Sequence, residues 1–133
     1  MTLLRLAAGI ALVSAVTTLA SLAPAHAVAM DYRFEVVEAH PAGKNMSDVT
    51  VRLMHVPDGK AVTGAIIFQT RVDMGPEGMG EMTGKVSPQA AGSAGLYQFR
   101  TETGMEGKWA LTLTAKVSGE AATIRGTVTF DAK

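Results

Sequence analysis

From residue 31 to the end of the chain, apolar and polar residues alternate in short runs, and clusters of glycine and proline separate one run from the next. Tyr32, Phe34 and Val36 alternate with Arg33, Glu35 and Val37; Val49, Val51 and Leu53 alternate with Thr50, Arg52 and Met54. The same period governs Leu96 to Thr101, with Tyr97 and Phe99 on one face, then Trp109, Leu111 and Leu113, then Ile124, Val128 and Phe130. A period of two places successive side chains on opposite faces of an extended chain, so each run buries one face and wets the other. The β-branched, apolar run Ala65 to Val72 predicts a buried central strand, and Met82 to Val86 adds a further short one. Turns are expected at His40-Pro41-Ala42-Gly43, Pro57-Asp58-Gly59, Gly75-Pro76-Glu77-Gly78, Gly92-Ser93-Ala94-Gly95 and Ser118-Gly119. No stretch of this region carries the 3.6-residue period of a helix. The pattern predicts an all-β chain, an antiparallel β-sandwich of six or seven strands. Trp109, the only tryptophan, opens the most regular strand and is expected to anchor the core.

The first 27 residues read differently. A short, singly charged start, Met1 to Arg5, leads into an uncharged Ala/Leu/Val-rich run, Leu6 to Leu22, and then Pro24-Ala25-His26-Ala27 with its small-x-small pattern. That order is the secretory signature, and it predicts a cleavable signal peptide over residues 1–27 with cleavage after Ala27. The apolar run is short beside the roughly 20 residues a membrane-spanning helix needs, so no span is expected in the mature form. Residues 28–133 then form a single domain, periplasmic or secreted.

The charges balance at 12 basic and 12 acidic residues and are scattered singly, which gives no long-range attraction for phosphates and argues against a nucleic-acid partner. The chain has no cysteine. Its core alone must hold it together, and thiolate metal sites, thiol catalysis and disulfide relays are excluded. A blue-copper electron-transfer site, which needs a cysteine ligand, goes with them.

Methionine is the compositional anomaly. Seven of the eight lie beyond residue 27, at positions 30, 46, 54, 74, 79, 82 and 105, and three of those fall within Asp73-Met74-Gly75-Pro76-Glu77-Gly78-Met79-Gly80-Glu81-Met82. The glycines and proline predict a flexible loop here. A thioether is neutral, polarizable and has no proton to lose, so it favours Cu(I) over hard cations. The spacing Met74-x4-Met79-x2-Met82 allows one loop to fold three sulfurs around one ion. Met105, in the turn Thr103-Gly104-Met105-Glu106-Gly107, joins them if that turn lies at the same end. His55 and His40 are candidate nitrogen ligands. A second reading stands beside this one: methionine is a flexible gap-filler and an adaptable surface for protein partners, and thioether spacing is a loose code.

His55 closes a strand on the face of Val49, Val51 and Leu53, where a hydrogen-bonded histidine at a core edge is the plainer reading; Met54 points to the other face. Catalytic constellations are missing. Gly92-Ser93-Ala94-Gly95 lacks the glycine two residues before serine that a nucleophile elbow requires, no histidine pair has metal-ligand spacing, and no glycine-rich loop opens a helix. A non-enzyme is expected.

Four segments taken in order resemble the YtkA-like family, also met in FixH-type proteins: Val51-Arg52-Leu53-Met54-His55-Val56-Pro57-Asp58-Gly59-Lys60, the strand into the methionine-rich segment from Phe68 to Met82, Ala94-Gly95-Leu96-Tyr97-Gln98-Phe99, and Gly107-Lys108-Trp109-Ala110-Leu111-Thr112-Leu113. The resemblance covers roughly residues 30 to 130. It implies an immunoglobulin-like sandwich outside the cytoplasmic membrane, linked to copper handling through an efflux adaptor or an oxidase-assembly partner. It supplies no catalytic residues. FixH-type proteins generally keep a membrane anchor, whereas a cleavable signal is expected for this chain. The expectation is a copper-binding accessory protein, with a non-metal interaction module of the cell envelope, using a sheet edge or the methionine loop, as the alternative.

Overall fold

The computed structural model describes residues 31–133, so the signal peptide expected over residues 1–27 lies outside the described residues. Nine strands follow in order: β1 (Tyr32–Gly43), β2 (Met46–His55), β3 (Lys60–Ala61), β4 (Ile66–Met74), β5 (Met79–Thr83), β6 (Lys85–Gln89), β7 (Leu96–Glu102), β8 (Gly107–Lys116) and β9 (Ile124–Ala132). They form two antiparallel sheets. One runs β1-β2-β7-β6, with β3 added to β2; the other runs β5-β4-β8-β9. The chain fills the sheets by hairpins, β1–β2 and β6–β7 in the first, β4–β5 and β8–β9 in the second. The all-β antiparallel sandwich expected from the periodicity is the fold observed, with nine strands among the described residues in place of six or seven, because the two-residue β3 and the separate β5 and β6 add to the expected set.

The inner faces are the alternating residues. Phe34, Val49, Val51, Leu53 and Phe99 from the first sheet meet Val72, Met74, Trp109, Leu111, Leu113, Ile124, Val128 and Phe130 from the second. Trp109 is 1% exposed, and its indole N–H donates to the Met105 carbonyl at 3.1 Å, so the polar edge of the ring is satisfied inside the core. Phe34 depends on a glycine across the sandwich: a Cβ at Gly126 would lie 2.8 Å from the Phe34 ring, so Gly126 leaves the space the phenyl group fills. Tyr97 fixes the entry to β4, its hydroxyl donating to the Val62 carbonyl (2.9 Å) and accepting from the Ala65 N–H (3.0 Å).

The structure departs from the sequence reading at four places. His40-Pro41-Ala42-Gly43 is strand, not turn; the reversal comes at Lys44-Asn45, where Asn45 takes a φ of 60°. Pro41 sits where proline is tolerated in a sheet, on an edge strand and beside a register shift between Pro41 and Gly43. The run Ala65 to Val72 is not a buried central strand. Ile66 and Phe68 are 66% and 58% exposed. Ile67, Thr70 and Val72 are the residues that stand opposite the core positions Ala115, Leu113 and Leu111, so Ile66 falls on the outer face and Phe68 is the extra residue of a bulge between Ile67 and Gln69. β5 pairs only with Asp73 and Met74 and leaves the first half of β4 as an open edge. Asp73 to Met82 is not a flexible loop but the β4–β5 hairpin, closed by a single 3-10 turn at Gly75–Glu77. Met82 to Val86 is not one strand; it divides at Gly84 between β5 and β6. There a Cβ would overlap the Glu102 carbonyl oxygen, which demands glycine where the chain crosses between sheets.

Candidate functional site

Four connections gather at one pole of the sandwich: the β1–β2 turn, the β4–β5 hairpin tip, the β5–β6 crossing and the β7–β8 connection. The ties between them are explicit. Glu77 at the hairpin tip accepts from the Lys108 N–H at the start of β8 (3.0 Å), the Thr103 N–H donates to the Asn45 carbonyl (2.8 Å), and the Gly84 N–H donates to the Val72 carbonyl (3.1 Å). The hairpin itself is stapled. Arg71 donates to the Gly80 carbonyl (2.9 Å) and to the Asp73 carboxylate (3.0 Å), and Asp73 also accepts from the Gly75 N–H (2.8 Å). An open cleft of about 600 Å³ lies beside it, lined in part by Lys44, Met46, Lys85 and Thr103.

Five methionines belong to this pole: Met46, Met74, Met79, Met82 and Met105. Met74 and Met79 are cross-strand partners at the end of the β4–β5 ladder, which sets their Cβ atoms about 5 Å apart. Their environments are opposite. Met74 is 1% exposed and belongs to the core. Gly107 makes room for it, since a Cβ there would lie 2.9 Å from the Met74 methyl. Met79 is 38%, Met82 40% and Met105 42% exposed. Met82 follows Met79 on β5. Met105 sits at the same pole but lines a separate groove of about 210 Å³ with Asn45 and Lys133, on the side of the β1–β2 turn. Met46, the first residue of β2, is not among the ligands expected from the sequence, which places the turn at His40–Gly43 and not at Lys44-Asn45 directly before it.

His55 is not brought to the methionines of this pole. His55 ends β2 nine residues beyond Met46, and at about 3.3 Å per residue that is roughly 30 Å away, at the opposite pole. There its ring packs tilted against that of Tyr32, with centroids 5.0 Å apart, and its Nδ1 lies 3.0 Å from an Asp58 carboxylate oxygen, the hydrogen-bonded histidine of the plainer reading. His40 is exposed on β1, paired in register with Asp48. Among the described residues no group of three or more His, Asp or Glu side chains converges as an ion site. Beyond this pole, the outer face of the first sheet carries ion pairs. Asp48 is bound at both oxygens by Arg100 (2.9 and 3.1 Å), and the guanidinium holds the Asp48 carboxyl below the ordinary aspartate range. Glu35, between Arg33 and Arg52, is held low in the same way.

Comparison with known proteins agrees with this architecture. The YtkA-like family matches residues 26–114, and the chain belongs to that family. No curated protein matches it. Among solved structures it is similar to a DUF4426 family protein from Pseudomonas aeruginosa, with a TM-score of 0.51 and 10% identity over 77% of this chain and 90% of the other. At that identity the likeness is one of fold.

Proposed function

For this member of the YtkA-like family we propose an exported, non-catalytic accessory role: binding copper as Cu(I) at the Met74–Met79–Met82 hairpin, and buffering it or passing it to an efflux or oxidase-assembly partner. The observation that carries the reading is the collection of methionines at one pole, with Met79, Met82 and Met105 exposed although their side chains are apolar. A soft, neutral thioether donor suits Cu(I) and holds it more weakly than a thiolate, which suits transfer. Met79 and Met82 are exposed on a stapled hairpin, Met74 is the cross-strand partner of Met79, and Met105 belongs to the same pole. Anaerobic titration of the protein with Cu(I) against a chromogenic chelator tests the reading. One equivalent should be withdrawn by the native protein and released by the Met79→Leu/Met82→Leu double variant. Equal competition by both proteins would remove the hairpin from the site, and no competition by either would remove copper.

A second reading draws on Ile66 and Phe68, whose exposure on the open half of β4 suits pairing with an extended segment of another envelope protein. It keeps the sandwich as an interaction module without metal. Phe68→Glu should abolish partner capture under this reading and leave Cu(I) competition unchanged under the first.

A further inference from the structure

With no cysteine in the chain, the methionine thioethers are its only sulfur atoms, and the fold grades those at the pole by accessibility, with half-buried Met46 between two extremes. Met79, Met82 and Met105 are 38–42% exposed, while Met74, the cross-strand neighbour of Met79, is 1% exposed. Two-electron oxidants such as hydrogen peroxide convert a thioether to a sulfoxide: the sulfur gives up an electron pair, an S–O bond forms, the O–O bond breaks and water leaves. The reaction needs contact between oxidant and sulfur, so it follows exposure.

We propose that Met79, Met82 and Met105 form a surface oxidation site of this protein. Peroxide-class oxidants add one oxygen to each while Met74 and the fold are preserved, and the change abolishes soft-metal binding at the pole. The last step rests on the copper reading. A sulfoxide presents a hard oxygen and an electron-poor sulfur, so a set of thioethers that suits Cu(I) loses its donors on oxidation. The fold tolerates the change because each of the three side chains keeps a solvent-facing part to which the added oxygen can turn. Met74 is different: a polar sulfoxide in the core would be buried against Gly107. The arrangement makes copper binding conditional on the oxidant level without a thiol.

A peroxide time course on the purified protein, read by peptide mass spectrometry alongside thermal melting, tests the proposal. Met79, Met82 and Met105 should each gain one oxygen, half-buried Met46 and Met54 should follow, and Met74, which reacts only through local opening, should lag by at least about ten-fold. The melting transition should stay in place through the first three oxygens. Reduction by a methionine sulfoxide reductase with a dithiol should restore the thioethers and the Cu(I) competition together. Oxidation of Met74 in step with Met79, or loss of the transition with the first oxygen, would overturn the proposal. Undiminished Cu(I) binding by the oxidised protein would overturn the switch while leaving the copper reading standing. A reduced protein that binds no Cu(I) would instead overturn the copper reading and the switch with it, leaving the oxidation site to be judged on its mass spectra.

Discussion

Replacing Met74 and Met79 one at a time separates the structural methionine from the exposed one. The two face each other across the β4–β5 ladder and differ in sequence context only slightly, yet one is 1% and the other 38% exposed. Truncating a fully buried methionine to alanine removes its transfer free energy and leaves a cavity, together about 2–5 kcal/mol. The site has little freedom to collapse, because the Met74 methyl rests against the backbone of Gly107, and the Glu77–Lys108 hydrogen bond pins that stretch of β8 to the hairpin tip. Met74→Ala should therefore cost about 3 kcal/mol, against roughly 0.5 kcal/mol or less for Met79→Ala. For a domain of this size, about 3 kcal/mol lowers the melting temperature by roughly 12–24 °C. Met74→Leu conserves volume and should stay within about 1.5 kcal/mol. Thermal and urea unfolding followed by Trp109 fluorescence measures all three. Equal costs for the two alanine variants, or a Met74→Ala protein as stable as the native one, would refute the division of the methionines into core and surface. The copper reading and the oxidation site both build on that division.

Gly84→Ala should destabilise by about 3 kcal/mol or more, since its Cβ would overlap the Glu102 carbonyl, which is backbone and cannot rotate away; a urea midpoint close to native would show that the crossing relaxes freely. The Asp48–Arg100 pair should give stability an acid limb. Its contribution is fully present above the unfolded aspartate value and is lost as the pH falls through the lower folded value. Asp48→Asn should flatten stability below about pH 4 in urea melts, leaving the share due to Glu35 and Asp58, whose carboxyls are also held low. An unchanged acid limb in that variant would place the dependence elsewhere.

The sandwich was legible in the sequence because sheet burial has a period of two and the periodic residues are apolar. Val49, Val51, Leu53, Trp109, Leu111, Leu113, Ile124, Val128 and Phe130 all enter the core as their alternation predicts. The methionine-rich segment was legible as an anomaly for the same local reason, three thioethers within one short stretch. Its form was not. β5 is exposed at every position and carries no alternation, so nothing local distinguishes a strand there from a loop; the strand exists because Arg71, Asp73 and β4 supply partners.

Local pattern also could not say which apolar residues lose water. Ile66 and Phe68 read as core, and Met74 read as loop, yet the first two are exposed and the third is enclosed. Burial in a sheet depends on whether a neighbouring strand and a facing sheet reach that position, and both come from distant parts of the chain. The same holds for the ends of the strands. By itself the sequence determined two sheet-forming faces, the turns between most of them, and a supply of soft donors. The tertiary structure alone decided that Met46, Met74, Met79, Met82 and Met105 share one pole while His55 stands at the other, because the side on which each hairpin closes is set by strand order and register.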